Sequence, residues 1–315
     1  MVSEGVESDW GAEMDAAAPN LARWVSSPGA AIADYASVEV LYFSGDIFPE
    51  RSREFAVAAL KAENLRWMHT FSAGVDDAFF DSLLERGVRL TTSSGTQAEP
   101  IAQTAILYLL ALSRDLPGWM QDQREQRWNP RGFRDLQGLS LGVVGLGPIG
   151  EAVARLGLAL GMNVTGFRRT PRGTEPCKAL PMGSLGECLP GFDAVVVAVP
   201  LTDETHNLFD AAAFSRFKPG AFFVNVARGG VVEEEALIAA LGSGQLGGAG
   251  LDVFREEPLG SESPLWLLPN VLITPHSAGT NPGNHIRASR IFIENLGRYA
   301  RGEALLNEVG PAGVR

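Results

Sequence analysis

One strand–turn–helix unit constrains the fold of this chain more than any other part of its sequence. The apolar run LSLGVVG, which starts at residue 139, is typical of a buried strand, and it leads directly into GLGPIG. The following stretch, PIGEAVARLGLALG, has helical periodicity, with Pro148 in its first turn and Gly161 at its end. A strand that passes through a glycine-rich turn into a helix is the first half of a βαβ unit, so the sequence predicts a parallel α/β sheet.

The glycines of GLGPIG stand where an anion-binding turn needs them. Gly145 permits the tight turn, Gly147 lets a ligand approach the backbone, and Gly150 allows the helix to pack closely on the strand. The helix N-terminus then offers unpaired N–H groups and the positive end of its dipole. Glycines also serve ordinary turns, but in this context we predict a cradle for the pyrophosphate of a dinucleotide. It consists of Gly145, Gly147, Pro148, Ile149 and Gly150.

The rest of the chain continues this alternation of short apolar runs and helical segments. Downstream strands are predicted at NVTGF, DAVVVAV, AFFVNVA, AGLDVF and VLITP, and their near-continuous apolar character suits strands covered on both faces. We therefore predict a Rossmann-type, doubly wound parallel sheet for this part of the chain. Upstream, VEVLYFS, LRWMHTF and VRLTT alternate with helical segments, which predicts a second, smaller, flavodoxin-like α/β domain.

Two long helical segments border the predicted dinucleotide-binding domain. One begins at AEPIAQTAIL and is expected to break at Pro117, and the other follows VLITP near the C-terminus. These positions indicate that the chain leaves the smaller domain and later returns to it. We predict a discontinuous substrate domain of residues 1–113 and 284–315 and a cofactor domain of residues 114–283. Residues 1–30 resist assignment, and LARWVSS (21–27) could be either a helix or a strand.

Composition narrows the class of protein and of partner. The 315 residues include 37 acidic and 26 basic side chains, a formal net charge of -11, which argues against nucleic-acid binding by the bulk surface. No apolar run reaches the about eighteen residues that a membrane span needs, and the N-terminus lacks the pattern of a signal peptide. Cys177 and Cys188 are too few for a disulfide framework or a cysteine-rich zinc site. We expect a cytoplasmic protein with no membrane partner and no metal site.

Positive charge is nevertheless concentrated in one short stretch. NVTGFRRTPR places Arg168, Arg169 and Arg172 eighteen to twenty-two residues beyond Gly150, where a dinucleotide-binding domain commonly has an acid for the adenosine ribose. A carboxylate there would repel a 2′-phosphate, whereas a guanidinium would pair with it. The arginines could also belong to a solvated loop, but the spacing and the missing acid favour phosphate recognition by Arg168, Arg169 and Thr170. We predict NADP(H) as the preferred cofactor, with NAD(H) as the alternative.

Ionisable residues follow three of the predicted strands. Arg228 lies in NVARGG, Asp252 and Glu257 lie in LDVFREEPL, and His276 lies in ITPHSAG. Ligands of open parallel sheets bind beyond the carboxyl ends of the strands, so these side chains can converge on one crevice. Each has a structural alternative, because a histidine can cap a strand, an acid can lie in a surface turn and an arginine can pair with a structural carboxylate. The remaining histidines are expected to have such structural roles: His69, His206 and His285.

At these motifs the sequence resembles the D-isomer-specific 2-hydroxyacid dehydrogenase family. The matching stretches occur in the family's order and spacing from about Leu65 to the C-terminus. They are SAGVD (72–76), GLGPIG, AVPLTDET (198–205), NVARGG, GLDVFREEPL and PLWLLPNVLITPHSAG (264–279). Several motifs in one order are far more specific than a glycine pattern alone. The chain departs from the family at Ala102 to Thr104, which reads AQT where many relatives have AEH, and at Thr92, where a number of relatives have asparagine.

The resemblance implies a role for each ionisable residue. His276 would be the acid/base that gives a proton to the keto oxygen, and Glu257 would stabilise its imidazolium. Arg228 would bind the substrate carboxylate and polarise the carbonyl group. Backbone N–H groups of the turn formed by Ser72, Ala73 and Gly74 would hold the carboxylate as well.

The resemblance also implies further contacts with the nicotinamide cofactor. Asp252 would hydrogen-bond the carboxamide of the nicotinamide. Further cofactor contacts would come from the family motifs at Val199, Pro200, Thr205, Ala227, His276, Ala278 and Gly279.

The function expected from the resemblance is hydride transfer from NADPH to a small 2-oxo acid, such as glyoxylate or hydroxypyruvate, to give a D-2-hydroxy acid. A dehydrogenase for a bulkier 2-oxo acid is one alternative. A dinucleotide-sensing, corepressor-like interaction protein is another, because the same fold serves both classes. The intact set of Arg228, Glu257 and His276 favours the enzyme. The resemblance further implies a homodimer.

Overall fold

A computed structural model of the chain describes residues 1–29, 35–75, 77–281 and 283–309. The chain divides into two units, one of Met1–Gln97 with Asn281–Arg315 and one of Ala98–Thr280. Every residue of the second, larger unit is described.

The smaller unit begins with five short parallel strands and three helices. Their bounds are β1 Val2–Ser3, α1 Glu4–Ala17, β2 Val25–Ser26, β3 Val40–Phe43, α2 Ser52–Lys61, β4 Trp67–Thr70, α3 Ala78–Glu85 and β5 Arg89–Thr92. Strands β3, β4 and β5 form one parallel sheet in that order, and β1 pairs with β2. The N–H of Tyr42 donates to the carbonyl of Met1 (3.1 Å), so β1 lies beside β3. The resulting order β2-β1-β3-β4-β5 is the flavodoxin-like order predicted from the sequence.

The sequence left residues 1–30 unassigned, and the structure places two short strands and a helix among residues 1–29. Strands β1 and β2 consist of two residues each, which is too short to show an alternating pattern in the sequence. The helix between them begins at a conventional cap, since the hydroxyl of Ser3 accepts the N–H of Val6 (3.1 Å).

The larger unit contains six helices and seven strands. Their bounds are α4 Ala98–Ser113, α5 Leu116–Arg124, β6 Ser140–Val144, α6 Pro148–Ala159, β7 Asn163–Arg168, β8 Lys178–Pro181, α7 Leu185–Cys188, β9 Ala194–Val197, α8 Ala211–Ser215, β10 Ala221–Asn225, α9 Glu234–Gly242, β11 Leu246–Leu251 and β12 Val271–Ile273. The strands form one parallel sheet in the order β12-β11-β10-β9-β6-β7-β8. This is the doubly wound Rossmann order, and the order reverses at β6. All six strands predicted for this region are present, whereas β8 was not predicted.

The predicted domain boundary lies sixteen residues too late at its first crossing. The structure divides the chain between Gln97 and Ala98 rather than after residue 113, and between Thr280 and Asn281 rather than after residue 283. Helix α4 belongs to the larger unit because it packs on α6 and on the sheet, where the ring of Tyr108 covers Gly250. A Cβ atom on Gly250 would lie 2.3 Å from the ring of Tyr108, so only glycine allows this packing.

The break in the long helical segment lies just before Pro117. Helix α4 ends at Ser113, and Asp115, which has a left-handed backbone (φ 51°), starts helix α5. The carboxylate of Asp115 accepts the N–H of Gly118 (3.3 Å), and Pro117 occupies the first turn of α5, where its missing N–H costs nothing.

The last helix, α10 (Gly283–Ala300), returns to the smaller unit and packs on α1. Pro282, which precedes it, lies outside the described residues. The ring of Phe292 stacks on Tyr42 (4.3 Å between centroids) and on Trp67 (5.5 Å), and all three are buried. Burial of such rings contributes to the stability that this unit gains on folding. In the described part of the chain, none of the helices combines the length and the apolar character needed to span a bilayer.

Candidate active site

The glycine turn after β6 has the geometry of an anion cradle. Gly145 has a left-handed backbone (φ 100°), and a Cβ atom there would lie 2.5 Å from the carbonyl oxygen of Ala198. A Cβ atom on Gly150 would lie 1.7 Å from the carbonyl oxygen of Gly145, so helix α6 can approach the turn only with glycine at this position. Nothing lies within 4 Å of the corresponding position on Gly147. The backbone is therefore packed on its inner side and open above Gly147.

Helix α6 directs its N-terminus at this open space. Gly147 is the N-cap and Pro148 the first helical residue, so the N–H groups of Ile149 and Gly150 have no carbonyl one turn earlier to bond. The dipole of the helix adds a partial positive charge at this end. A pyrophosphate fits the chemistry of this turn, and Gly145, Gly147, Ile149 and Gly150 would hold it.

Several of the residues predicted to contact the cofactor border the same turn. Val199 follows β9, and its Cγ1 atom lies 2.8 Å from the position of a Cβ atom on Gly145. The hydroxyl of Thr205 donates to the carbonyl of Pro200 (2.7 Å) and accepts the N–H of Thr202 (2.8 Å), which folds the segment after β9 back on itself. This places Val199 and Pro200 at the carboxyl end of the strand next to β6, where the strand order reverses.

Arg168 ends β7, the strand on the other side of β6, and it has a partner that the sequence did not reveal. Its Nη1 atom donates to Oε1 of Glu175 (3.1 Å), and the side chain of Glu175 is only 2% exposed. The same carboxylate accepts the N–H groups of Arg172 (2.6 Å) and Gly173 (2.8 Å). These backbone hydrogen bonds, with the guanidinium of Arg168, lower the pKa of Glu175 to about 2. Arg169 and Thr170 follow directly and are exposed.

His276 and Glu257 form a hydrogen-bonded pair beyond the ends of β11 and β12. The Nδ1 atom of His276 lies 2.7 Å from Oε2 of Glu257, and the two side chains are 49% and 36% exposed. The second oxygen of Glu257 accepts the N–H of Phe254 (3.0 Å). His276 itself has a left-handed backbone (φ 49°), which is costly for a residue with a Cβ atom and is common at functional sites.

Asp252, at the end of β11, holds the turn that carries His276. Its carboxylate accepts the hydroxyl of Thr274 (2.5 Å), the N–H of Ser277 (2.8 Å) and the N–H of Ala278 (3.0 Å). The hydroxyl of Tyr108 lies 2.5 Å from that of Thr274, and burial raises the pKa of Tyr108 to about 12. Because the ionised carboxylate can only accept, the hydrogens run from Tyr108 through Thr274 to Asp252. Asp252 is buried (3% exposed), and the hydrogen bonds from this turn satisfy its carboxylate.

Arg228 lies after β10, the neighbour of β11. The side chain of Asn225 fixes the backbone around Arg228. Its amide nitrogen donates to the carbonyl of Arg228 (3.1 Å), and its amide oxygen accepts the N–H of Ala227 (3.0 Å). A Cβ atom on Gly229 would lie 1.9 Å from the backbone carbonyl of Phe254, so the segment that carries Arg228 packs directly on the segment that leads to Glu257. The structure therefore places Arg228, Glu257 and His276 at the carboxyl ends of three adjacent strands.

Thr104, which stands where many relatives have histidine, contacts the same turn. Its hydroxyl lies 3.2 Å from the carbonyl oxygen of Ala278, one of the predicted cofactor contacts, and the next residue is Gly279. The departure from the family pattern at this position thus leaves a polar contact from α4 to the turn after His276.

The predicted carboxylate-binding turn lies in the smaller unit, after β4. The hydroxyl of Ser72 donates to the carbonyl of Gly74 (2.8 Å), and its N–H donates to the hydroxyl of Thr70 (3.3 Å). Within the described residues, no hydrogen bond engages the N–H groups of Ala73 and Gly74. Both are therefore available to an anion. Asp76, the last residue of the SAGVD motif, lies outside the described residues.

The comparison with protein families and known proteins agrees with this architecture. The family model described as "D-isomer specific 2-hydroxyacid dehydrogenase, NAD binding domain" matches residues 106–278. The glyoxylate reductase of Thermococcus gammatolerans is 35% identical over 77% of this chain and 75% of its own length. The glyoxylate/hydroxypyruvate reductase B of Citrobacter koseri is 35% identical over 80% of each chain.

A solved structure extends the similarity to both units. The D-isomer specific 2-hydroxyacid dehydrogenase from Xanthobacter autotrophicus Py2, crystallised with NADPH and MES, is 34% identical, with a TM-score of 0.79 over 99% of this chain and 98% of its own. The glycine cradle, the sheet order and the histidine–carboxylate pair define an oxidoreductase that uses a nicotinamide cofactor. With these matches, the chain belongs to the D-isomer specific 2-hydroxyacid dehydrogenase family.

Proposed function

We propose that the protein reduces a small 2-oxo acid, glyoxylate or hydroxypyruvate, to the D-2-hydroxy acid with NADPH. The observation that carries the proposal is the hydrogen bond between His276 and Glu257 at 2.7 Å. A sensor of dinucleotides needs no acid/base at this position, whereas carbonyl reduction requires a proton donor beside the keto oxygen.

The pairing assigns a distinct task to each nitrogen of His276. Its Nδ1–H is donated to Glu257, so the Nε2 atom is left to hold the proton that the substrate oxygen takes up. The bound nicotinamide supplies a hydride to the keto carbon. As that carbon is reduced, His276 passes its Nε2 proton to the oxygen and becomes neutral. Glu257 orients the ring for this step through its hydrogen bond to Nδ1.

Binding of the substrate carboxylate falls to one cation and to two backbone groups. Arg228 provides a permanently charged guanidinium, which also favours the negative charge that develops on the carbonyl oxygen. The N–H groups of Ala73 and Gly74 supply two further donors.

The choice of NADPH is supported by Arg168 and Arg169. Arg168 donates through Nη1 to Glu175, and its planar guanidinium has further N–H groups that a 2′-phosphate can accept from. Arg169 is exposed beside it. The complex of the Xanthobacter autotrophicus relative with NADPH supports the same choice of cofactor.

The choice of glyoxylate or hydroxypyruvate is supported by the names of the two similar reductases. The proposal includes a homodimer, as the family resemblance implies. An exposed apolar group around helix α5 is the kind of surface that such an assembly buries: Trp119 is 37%, Met120 is 45% and Trp128 is 96% exposed. Sedimentation velocity measures this part of the proposal directly.

Steady-state kinetics with a panel of 2-oxo acids tests the function. We expect NADPH oxidation with glyoxylate or hydroxypyruvate, a fall in kcat of at least about a hundredfold for His276→Ala, and wild-type rates for the matched histidine variant His206→Ala. A preference for phenylpyruvate or a branched 2-oxo acid would mean that the substrate is a bulkier 2-oxo acid and that the proposed reaction type still holds. No activity with any 2-oxo acid, together with tight NADPH binding, would favour the dinucleotide-sensing protein instead.

A further inference from the structure

His69, a buried histidine in the smaller unit, is bonded at both ring nitrogens. It lies in β4 and has no exposed surface. Its Nδ1 atom is 2.7 Å from the hydroxyl oxygen of Thr91, and its Nε2 atom is 3.1 Å from that of Ser93. The rings of Tyr42 and Phe292 pack on it, at 5.4 and 5.9 Å between centroids. A fully buried imidazole in aromatic surroundings depends on such partners, because an unpaired buried polar atom is costly.

The partners of His69 are compatible with one consistent set of hydrogen-bond directions. Trp67 can only donate, and its indole N–H donates to the hydroxyl oxygen of Thr91 (2.8 Å), which can then give its own hydrogen to Nδ1 of His69. On the other side, the hydroxyl of Ser93 can donate to the backbone carbonyl of Thr70 (3.0 Å) and accept from Nε2 of His69. The neutral tautomer with the hydrogen on Nε2 gives both hydroxyls a donor and an acceptor.

Burial keeps the imidazole ring of His69 neutral. It lowers the pKa of His69 to about 3, while a hydrogen bond to the backbone carbonyl of Ala288 acts in the opposite direction with a smaller effect. The imidazole is therefore neutral at any pH at which the enzyme would be assayed. Its role is that of a fixed donor and acceptor, not of an acid or base.

The chain of hydrogen bonds ends at the proposed carboxylate-binding turn. Ser93 holds the start of that turn at two points, through its hydroxyl to the carbonyl of Thr70 and through its N–H to the carbonyl of Ser72 (2.9 Å). The hydroxyl of Thr70 in turn accepts the N–H of Ser72 (3.3 Å), and Ser72 bonds the carbonyl of Gly74. One of these contacts, from the Ser93 hydroxyl to the carbonyl of Thr70, depends directly on where the Ser93 side chain lies, and the hydrogen bond with His69 restrains that side chain.

We infer that His69 is a positioning residue for substrate binding, which donates from Nε2 to Ser93 and thereby orients the N–H groups of Ala73 and Gly74 toward the substrate carboxylate. The inference rests on the proposed function, because that function assigns the carboxylate to this turn. It predicts that His69 affects the 2-oxo acid and leaves the cofactor unaffected, since the cofactor cradle belongs to the other unit.

The tautomer can be measured on the unaltered protein. The chain has four histidines, so ¹⁵N-histidine labelling gives a small set of ring signals, and loss of one set in His69→Leu assigns His69. We expect Nε2 at the shift of a protonated nitrogen, Nδ1 at that of an unprotonated one, and no titration between pH 5 and 9. A hydrogen on Nδ1, or titration near pH 6.5, the ordinary histidine value, would overturn the inference.

Kinetics then test the effect on substrate binding. His69→Leu removes both polar contacts, and we expect the KM for the 2-oxo acid to rise about tenfold while the KM for NADPH stays within about twofold. His69→Gln, whose amide can still donate to Ser93, should recover most of this loss. Tyr42→Phe is the matched control. It also removes a buried hydroxyl next to His69, but that hydroxyl is hydrogen-bonded to Ser289 and not to Ser93.

A second variant keeps the test decisive if His69→Leu does not fold. Ser93→Ala leaves the imidazole in place and removes only the last link, so it should raise the KM for the 2-oxo acid about three- to tenfold. Unchanged KM values in both variants, or equal increases for NADPH, would refute the positioning role while leaving the proposed function intact. Wild-type protein that reduces no 2-oxo acid would instead remove the proposed function and, with it, the substrate that the inference requires.

Discussion

His276 and Glu257 stand nineteen residues apart in the chain, yet Nδ1 of the first lies 2.7 Å from Oε2 of the second. The carboxylate is fixed at its other oxygen by the N–H of Phe254 (3.0 Å), so neither oxygen is free to rotate away from the ring. The backbone of His276 is fixed as well, since its N–H donates to the carbonyl of Asp252 (2.8 Å). Ring orientation at this site is therefore set before any substrate arrives, which is the condition for efficient proton transfer.

Replacing Glu257 with glutamine should weaken reduction. The amide keeps the shape of the carboxylate and loses its charge, so the imidazolium of His276 is no longer stabilised. We expect kcat/KM for the 2-oxo acid, measured at pH 7, to fall about tenfold. Glu256→Gln removes an adjacent acid and should leave kcat/KM unchanged. Equal values of kcat/KM for the wild type and Glu257→Gln would contradict the role of the pair.

Replacing Arg168 with aspartate should reduce the preference for NADPH. A carboxylate at the end of β7 repels the 2′-phosphate and can accept hydrogen bonds from the ribose of NADH. We expect the ratio of kcat/KM values, NADPH over NADH, to fall at least about tenfold. Arg155→Asp is a matched control, because it makes the same change of charge on the exposed face of α6, where Arg155 pairs with Glu99. An unaltered ratio in Arg168→Asp would show that the arginine does not recognise the phosphate.

Glu175 should contribute stability that depends on pH. Its pKa is lowered from 4.5 to about 2 in the folded protein by backbone hydrogen bonds and by Arg168. A lowered carboxyl pKa means that the stabilisation is fully present above the unfolded value, about 4.3 to 4.5, and is lost as the pH falls toward 2. Glu175→Gln should therefore have a lower Tm than the wild type at pH 7, and the difference should shrink as the pH approaches 3. A constant difference in Tm from pH 7 to pH 3 would contradict this assignment.

The sheet of the larger unit and its glycine-rich turn could be predicted because their signals are local. Each strand is a short apolar run, and Gly145, Gly147 and Gly150 occupy one turn whose requirements are steric. The pairing of His276 with Glu257 came from the family resemblance and from the rule that strand ends converge. Strand β8 was missed because Lys178–Pro181 lies at the sheet edge, has no fully buried residue and so carries no apolar run.

The contacts that the sequence did not reveal join residues with no shared motif. Glu175 lies seven residues beyond Arg168, and only the fold of the loop shows that its carboxylate turns back to the guanidinium. Tyr108 lies on a helix 166 residues before Thr274, and His69 in the smaller unit had been expected to be merely structural. Such contacts follow from tertiary packing, and a tyrosine in an apolar helical stretch gives no sign of its polar partner. The end of α4 as a domain boundary was misplaced for the same reason, since packing on α6 decides to which unit it belongs.

Two glycines of the cradle should separate ligand binding from stability. Nothing lies within 4 Å of a Cβ atom on Gly147, and serine is a favoured N-cap residue, so Gly147→Ser should fold with an unchanged or slightly higher Tm. Its side chain nevertheless enters the space that a pyrophosphate would occupy, and we expect the Kd for NADPH to rise at least about tenfold.

Gly150→Ala has the opposite signature, because its Cβ atom would lie 1.7 Å from the backbone oxygen of Gly145 and neither backbone can yield. Overpacking of this kind costs about 1 to 3 kcal/mol, which should appear as a lower Tm without ligand. Fluorescence titration with NADPH and thermal unfolding of both variants measure the two quantities independently. An unchanged Kd for NADPH in Gly147→Ser would show that the pyrophosphate does not bind on the open side of this turn.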